Sequence, residues 1–165
     1  MTKETQADLF REDFVFSDSP STAIISESGY ARVEGDKYHT PPWVTQELFK
    51  SCGFPEKVWE PAAGAGGIVD VLKAHGCVVL ATDIDPEAEG IEQQDFFSCT
   101  KAASAGIITN PPYGDRGQLA ERFVVHALEL MRLNDGLVAM LLPNDFDSAK
   151  TRRYLFKNHP AFYKK

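Results

Sequence analysis

The chain has 165 residues, of which 43% are hydrophobic and 25% are charged, and its formal net charge is −7; these values suit one globular domain with its own core. No apolar run approaches the length of about 20 residues that a membrane-spanning helix needs, and the N-terminus is too polar for a signal peptide. Three widely spaced cysteines form neither a disulfide framework nor a zinc-binding pattern, so the composition predicts a cytoplasmic protein with reduced thiols.

The N-terminal segment, residues 1–36, is polar, acidic and rich in serine, and it lacks clear periodicity. This composition predicts a mobile arm before a domain that spans residues 37–165. The domain is expected to start with a helix that begins at Thr40-Pro41-Pro42 and continues through WVTQELFKSCG. Thr40 is placed to cap this helix, a proline occupies its first turn and Gly53 can end it.

Short β-branched segments then alternate with amphipathic ones along the chain. Strands are predicted in KVWEP, CVVLATDID, IEQQDFF, AGIITNPPYG and GLVAMLLPND, and helices in IVDVLKAHG, QLAERFVVHALELMRLN and DSAKTRRYLFKNH. This order predicts an α/β fold, a Rossmann-like doubly wound and mostly parallel sheet with helices on both faces. Ligand sites in such sheets lie beyond the carboxyl ends of the strands, where this chain has Glu60, Asp83, Asp95, Asn110 and Asn144.

The turn EPAAGAGG follows the first predicted strand, and Gly64 and Gly66 would let a ligand approach the backbone closely. The turn matches neither the G-x-G-x-x-G pattern nor a phosphate-binding P-loop. Asp83 ends the next strand 19 residues after Gly64, which is where a doubly wound fold places the acid that binds ribose hydroxyls. A loop acid or a helix cap is the alternative for Asp83, and a cap is the role we expect for Asp85.

The third and fourth predicted strands end in DFF and NPPYG. Asp95 can accept a hydrogen bond from an exocyclic amine, and the neighbouring Phe96 can cover a purine face. Pro111 and Pro112 can neither continue a helix nor donate to a sheet. The fourth strand therefore ends in a rigid turn that presents the Asn110 amide and an aromatic ring.

The motifs EPAAGAG, ATDIDP, QQDFF and TNPPYG, in this order and spacing, resemble those of the S-adenosylmethionine-dependent amino-methyltransferases. Asn-Pro-Pro-Tyr is the signature of the N6-adenine branch, and YHTPPWVTQELF is similar to the N-terminal cofactor segment of that branch. Over about residues 38–146, the motif order resembles that of the gamma-type DNA adenine methyltransferases. The resemblance implies methyl transfer to the N6 amine of adenine in DNA, with S-adenosylmethionine as cofactor and DNA as partner. The four histidines have no metal-ligand spacing, so no metal site is predicted.

The resemblance also implies residue roles. Asn110 Oδ1 and the Pro111 carbonyl would each accept a hydrogen of the adenine amine, while Pro112 helps to fix the backbone. Tyr113 would stack on a flipped base, and Phe146 is expected on the other face of that base, with packing as its alternative role. Glu60, Gly64 and Gly66 would face the methionine half of the cofactor, and Thr40 would meet its carboxylate. Asp83 would bind the ribose, and Asp95 with Phe96 would bind the adenine. The implied cofactor-binding residues are Thr40, Glu60, Pro61, Gly64, Gly66, Asp83, Ile84, Asp95 and Phe96.

Other functions stay open at this point. The glycine turn with Asp83 would also suit an NAD-linked dehydrogenase, and a methyltransferase fold can serve as an inactive binding subunit. The same Asn-Pro-Pro-Tyr motif also occurs in enzymes that methylate RNA bases or protein glutamine. The net charge of −13 over residues 1–149 argues against DNA. Residues 150–165 hold six basic side chains and no acidic one. This is either a docking face for a polyanion or a solvated surface, and charge alone favours the latter.

The last part of the chain departs from the family pattern. The family's sheet has seven strands, of which the final two form a hairpin at one edge, whereas five strands are predicted here. No region for reading a DNA sequence is visible. We therefore expect an uncovered edge at the fifth strand, self-association through that edge, and a chain that is either a fragment or a small phage-type enzyme.

Overall fold

The computed structural model describes residues 39–157 and 159–163, so the predicted N-terminal arm lies outside the described residues. The helices are α1 (Pro42–Ser51), α2 (Gly67–Ala74) and α3 (Gln118–Met131). The strands are β1 (Lys57–Glu60), β2 (Val78–Asp83), β3 (Glu92–Gln93), β4 (Gly106–Thr109) and β5 (Leu137–Met140). Short 3-10 helices cover Phe96–Ser98, Asp115–Gly117, Phe146–Ser148 and Lys150–Leu155.

The five strands form one parallel sheet in the order β3-β2-β1-β4-β5. Trp59 of β1 pairs with Leu80 of β2 on one side and with Ile107 of β4 on the other. The chain thus runs outward from β1 to β3 and then returns past β1 to form β4 and β5. This reversal between β1 and β4 is the switch point at which open α/β sheets bind their ligands.

Helices cover both faces of the sheet because alternate strand residues point to opposite sides. Val58 and Ile108 pack on one face with residues of α1 and α2. Trp59 and Ile107 pack on the other face with Phe123 of α3. The predicted Rossmann-like, doubly wound fold is therefore confirmed.

Three local predictions are wrong. Asp85 caps no helix, since the described chain forms none between β2 and β3. Thr40 does not cap α1, since Pro41 occupies the N-cap position and no side chain caps the helix. The predicted C-terminal helix is replaced by two short 3-10 helices. In the second of them, the buried residues Arg152 and Leu155 lie three positions apart, which matches the repeat of the 3-10 helix rather than the longer repeat of the α-helix.

β5 lies at an edge of the sheet and pairs with β4. All four of its residues are half-buried, and within the described residues it has no second strand neighbour. The predicted uncovered edge is confirmed for this part of the chain, and self-association through it stays a prediction.

Three bulk features complete the fold. The cysteines Cys52, Cys77 and Cys99 are half-buried and free. None of the described helices is both long and apolar enough to cross a membrane. In the part of the chain that the structure describes, no group of three or more His, Cys, Asp or Glu side chains could hold a metal ion.

Candidate active site

Polar side chains are buried at the carboxyl ends of the three central strands. Glu60 ends β1, Asp83 ends β2 and Thr109 ends β4, with exposed fractions of 0%, 1% and 1%. Burial of a polar group costs free energy unless a partner satisfies it. Three such groups at the switch point of the sheet therefore indicate a functional site rather than ordinary core.

Glu60 is a buried carboxyl whose pKa is strongly raised. Its Oε1 accepts a hydrogen bond from the Ala62 N–H at 3.0 Å, while its buried Oε2 has no hydrogen-bond partner among the described residues. Burial raises the pKa of Glu60 to about 8, against smaller lowering effects of the Thr109 hydroxyl and the Ala62 N–H. Thr109 Oγ1 is itself buried without a hydrogen-bond partner among the described residues. Its hydroxyl therefore affects the Glu60 carboxyl from nearby and not through a hydrogen bond of normal geometry. The carboxyl is thus largely protonated near neutral pH.

The glycine turn between β1 and α2 is fastened to the end of β2. Gly64 donates its N–H to Asp83 Oδ2 at 2.7 Å, and Asp83 Oδ1 accepts from the Asp85 N–H at 2.8 Å. Gly64 and Gly66 have φ values of 52° and 87°, in the left-handed region that favours glycine. Asp83 therefore holds the turn in place. Its ribose contact stays a prediction, in which ligand hydroxyls would share a carboxylate that already accepts two backbone N–H groups.

The N-terminal segment meets the end of β4 through a hydrogen bond between residues 70 positions apart. Asn110 Nδ2 donates to Thr40 Oγ1 at 3.0 Å. Thr40 also lies against the start of α2, since a Cβ on Gly67 would be 3.1 Å from the Thr40 carbonyl oxygen. The structure thus brings together the residue predicted to meet the cofactor carboxylate and the residue predicted to accept the substrate amine. The hydrogen bond directs the amide nitrogen of Asn110 toward Thr40, so its Oδ1 points away from that hydroxyl.

The turn after Asn110 is held rigidly. Pro111 and Pro112 are buried, and half-buried Tyr113 donates from its hydroxyl to the Leu141 carbonyl at 3.4 Å. The Tyr113 carbonyl accepts from two N–H groups at the start of α3, at 3.1 and 3.3 Å. Gly114 has a φ of 64°, and a Cβ there would lie 2.7 Å from that of Leu119. The four predicted catalytic residues therefore form one fixed turn beside β5.

The remaining predicted cofactor residues follow the ends of β1, β2 and β3. Pro61 is buried directly after Glu60. Half-buried Ile84 accepts at its carbonyl from Gln93 Nε2 at 3.1 Å. Asp95 is half-buried, and its Oδ1 accepts from the Phe97 N–H at 3.0 Å, so it caps a 3-10 turn. Binding roles for Pro61, Ile84 and Asp95 stay predictions.

The structure corrects the expected place of Phe96. This ring is only 2% exposed. It stacks on Phe123 with centroids 4.9 Å apart and meets Trp59 edge-on. Its neighbour Phe97 is half-buried, with the guanidinium of Arg122 4.5 Å from its ring centroid. Phe96 is therefore a core residue because apolar rings from β1 and α3 enclose it, and Phe97 is the more accessible of the two rings.

Phe146 is also a packing residue rather than a ring open to a base. It is 2% exposed, and the Arg152 guanidinium lies 4.2 Å from its ring centroid. Phe156 contacts it edge-on at 6.1 Å. The alternative role of Phe146, packing, is thus the one that the structure supports, because neighbouring side chains enclose the ring.

Sequence reasoning missed Arg152, which it counted only as one charge of a basic segment. Arg152 is 9% exposed. Its guanidinium donates to the carbonyls of Arg116 and Phe146 and to Glu121 Oε2, the last at 3.2 Å. It therefore ties the chain after the Asn-Pro-Pro-Tyr turn to the C-terminal 3-10 helices. The three-residue spacing between Arg152 and Leu155 was the available signal, and it has meaning only if the segment is known to be a 3-10 helix.

Comparisons with known proteins add a limited finding. No protein-family model and no curated protein matches the chain. One solved structure with a similar fold is described as a "putative RNA methyltransferase" from Pyrococcus horikoshii. It is 20% identical, with a TM-score of 0.47 over 70% of this chain, and the chain spans 62% of the length of that structure.

Proposed function

We propose that this chain is an S-adenosylmethionine-dependent methyltransferase domain that acts on the N6 amine of adenine in DNA. The observation that carries the proposal is the hydrogen bond between Asn110 and Thr40. It joins the two segments whose motifs resemble the substrate and cofactor sites of that family. The buried acid at the end of β1 and the glycine turn beside it supply the rest of a cofactor site.

The residues at the switch point fit the proposed cofactor. Glu60 Oε2 and Thr109 Oγ1 are buried acceptors without a hydrogen-bond partner in the described chain, so they can receive donors such as the α-ammonium of a methionine group. A cation beside Glu60 would favour its ionised form and lower its raised pKa. The fixed turn at Gly64 and Gly66 offers backbone without side-chain obstruction. When bound, the cofactor supplies an electrophilic methyl group.

The chain's own contribution to the reaction is to bind and orient a weak nucleophile. The lone pair of an exocyclic amine is conjugated with its ring. Asn110 Oδ1 and the Pro111 carbonyl would accept the two amine hydrogens, which holds the nitrogen and frees its lone pair. The prolines keep these acceptors in place before substrate arrives, so little reorganisation is needed. Tyr113 would stack on the extruded base.

The first experiment is calorimetry with S-adenosylmethionine and with NAD, followed by transfer of a tritiated methyl group. We expect binding of S-adenosylmethionine and not of NAD, and weak but measurable transfer to DNA at low salt. Asn110→Ala should lower the transfer rate at least about a hundredfold, or about 2.7 kcal/mol of barrier, with cofactor affinity kept. The matched control is Asn134→Ala, since Asn134 is exposed in the α3–β5 loop.

The outcomes separate the rival functions. Binding of NAD alone would replace the proposal by a dehydrogenase. Transfer to an RNA or a glutamine peptide in preference to DNA would correct the substrate. Cofactor binding without transfer to any of the three substrates would favour an inactive binding subunit. An Asn110→Ala rate within about tenfold of wild type, or 1.4 kcal/mol, would remove Asn110 from the mechanism.

A further inference from the structure

The 3-10 helix Lys150–Leu155 has a distinct inner and outer side. Its repeat of three residues buries Arg152 and Leu155 and leaves Lys150, Arg153 and Tyr154 exposed. Lys150 and Arg153 fall on the same side of the helix because they are three residues apart. Together with Thr151, Tyr154 and Lys157, these two residues line a shallow groove of about 510 Å³. We call these five residues the basic groove.

The positive charge of the basic groove is not neutralised within its own segment. Residues 150–157 contain four basic side chains and no acidic one. The nearby acid Glu121 is already engaged, since its Oε2 accepts from Arg152 at 3.2 Å and its Oε1 from the Tyr154 hydroxyl at 2.9 Å. Burial first, and then this contact with Glu121, raises the pKa of Tyr154 to about 12. The groove therefore combines three outward cations with neutral hydroxyl groups.

The basic groove is fixed beside the candidate active site. Arg152, on the inner side of the same helix, donates to the carbonyl of Arg116, which lies three residues after Tyr113. A Cβ on Gly117 would lie 3.0 Å from Arg152 Nη2, so the two segments approach closely. The groove thus cannot move independently of the Asn-Pro-Pro-Tyr turn while the Arg152 contacts hold.

We infer that the basic groove binds the phosphate backbone of a DNA duplex beside the nucleotide that enters the site. This inference rests on the proposed function. Extrusion of a base costs a few kcal/mol, which contacts to the neighbouring duplex must recover. Over residues 1–149 the chain has a net charge of −13 and repels phosphates. Lys150, Arg153 and Lys157 are placed to offset that repulsion next to the site, through the release of counterions from DNA.

The experiment compares two triple variants with equal loss of charge. Lys150→Gln/Arg153→Gln/Lys157→Gln removes the three outward cations of the groove. The matched control substitutes three exposed lysines that start or precede strands, away from the carboxyl ends where the candidate site lies. That control is Lys57→Gln/Lys73→Gln/Lys101→Gln. Binding of a short, mixed-sequence, fluorescein-labelled DNA duplex is followed by anisotropy over a range of salt concentrations.

We expect the groove variant to bind the duplex at least about tenfold more weakly at low salt. The slope of log affinity against log salt should fall by about 2 to 3, as loss of up to three phosphate contacts requires. The control variant should stay within about twofold of wild type at each salt concentration. An equal loss in both variants, or no loss in either, would overturn the inference. Tighter binding of an RNA duplex than of DNA by the same groove would overturn the assignment to DNA.

Calorimetry with S-adenosylmethionine on the same proteins separates this inference from the proposed function. The groove lies outside the cofactor residues, so both triple variants should keep wild-type affinity for the cofactor. If the cofactor binds but the groove variant does not change DNA affinity, the proposed function is kept and the inference about the basic groove is rejected. If the groove variant weakens DNA binding but no variant binds the cofactor, the DNA-binding role of the basic groove is kept and the proposed methyltransferase function is rejected.

Discussion

The proposed cofactor half and the proposed substrate half of the candidate site are stabilised in different ways. In the first half, from β1 to β3, short backbone-to-carboxylate hydrogen bonds hold the glycine turn, as at Asp83, over a core that contains the fully buried Leu72. In the second half, β5 is half-buried throughout, and the buried guanidinium of Arg152 joins three chain segments through its contacts with Arg116, Glu121 and Phe146. The comparison predicts that the proposed cofactor half keeps its structure without the Arg152 contacts, whereas the proposed substrate half depends strongly on that side chain.

The largest effect should follow from loss of that side chain. Arg152→Gln removes hydrogen bonds to two carbonyls and leaves Glu121 with one donor fewer. We expect the free energy of unfolding to fall by about 3 kcal/mol, measured by urea denaturation. The neighbouring exposed Arg153→Gln should change it by no more than about 0.5 kcal/mol.

The same variant tests the comparison itself. At a temperature where Arg152→Gln is still folded, its affinity for S-adenosylmethionine should equal that of wild type, while methyl transfer is lost. A parallel loss of cofactor affinity would show that the two halves are one cooperative unit and that the comparison is wrong.

A smaller effect is expected at Asp83 in the cofactor half. Asp83→Ala removes the acceptor of the Gly64 and Asp85 N–H groups and the predicted acceptor of ribose hydroxyls. Cofactor binding should weaken by about 1.5–3 kcal/mol, the scale of hydrogen bonds to a charged group, in calorimetry. Asp70→Ala, on the exposed side of α2, is the control. Unchanged affinity for Asp83→Ala would mean that neither the turn nor the ribose depends on this carboxylate.

The smallest effect is the pH dependence that Glu60 imposes on stability. Its pKa is raised from 4.5 to about 8 in the folded chain, so between these values the folded state holds a proton that the unfolded state has released. Stability should therefore be greatest at the acidic end of this window and fall as pH rises. From pH 5.5 to 7, wild type should lose about 2 kcal/mol more than Glu60→Gln, at up to about 1.4 kcal/mol per pH unit.

Urea denaturation of both proteins across that pH range provides the measurement. Parallel pH profiles for wild type and Glu60→Gln would show that the carboxyl is not protonated in the folded state. Saturating S-adenosylmethionine should reduce the difference between the two profiles, because a cation beside Glu60 favours ionisation.

Much of the fold was determined by local patterns in the sequence. The five strands, the central helices and the glycine turn follow from β-branched runs, helical periodicity and glycine placement. These signals act over a few residues and need no knowledge of distant contacts. The order in which strands and helices alternate then restricts the sheet to a parallel, doubly wound arrangement. For the same reason, the five polar residues at the strand ends could be assigned to one edge.

The tertiary structure alone decided how these residues are used. Thr40 and Asn110 are 70 positions apart, and no local pattern shows that they share a hydrogen bond. Phe96 and Phe97 are adjacent aromatic residues with the same propensity, and the packing of β1 and α3 determined which of them is enclosed. The Lys150–Leu155 segment follows a 3-10 repeat rather than an α-helical one, with Arg152 as its buried anchor. Burial, register and long-range pairing depend on the whole chain, because each requires surfaces that exist only after the sheet has formed.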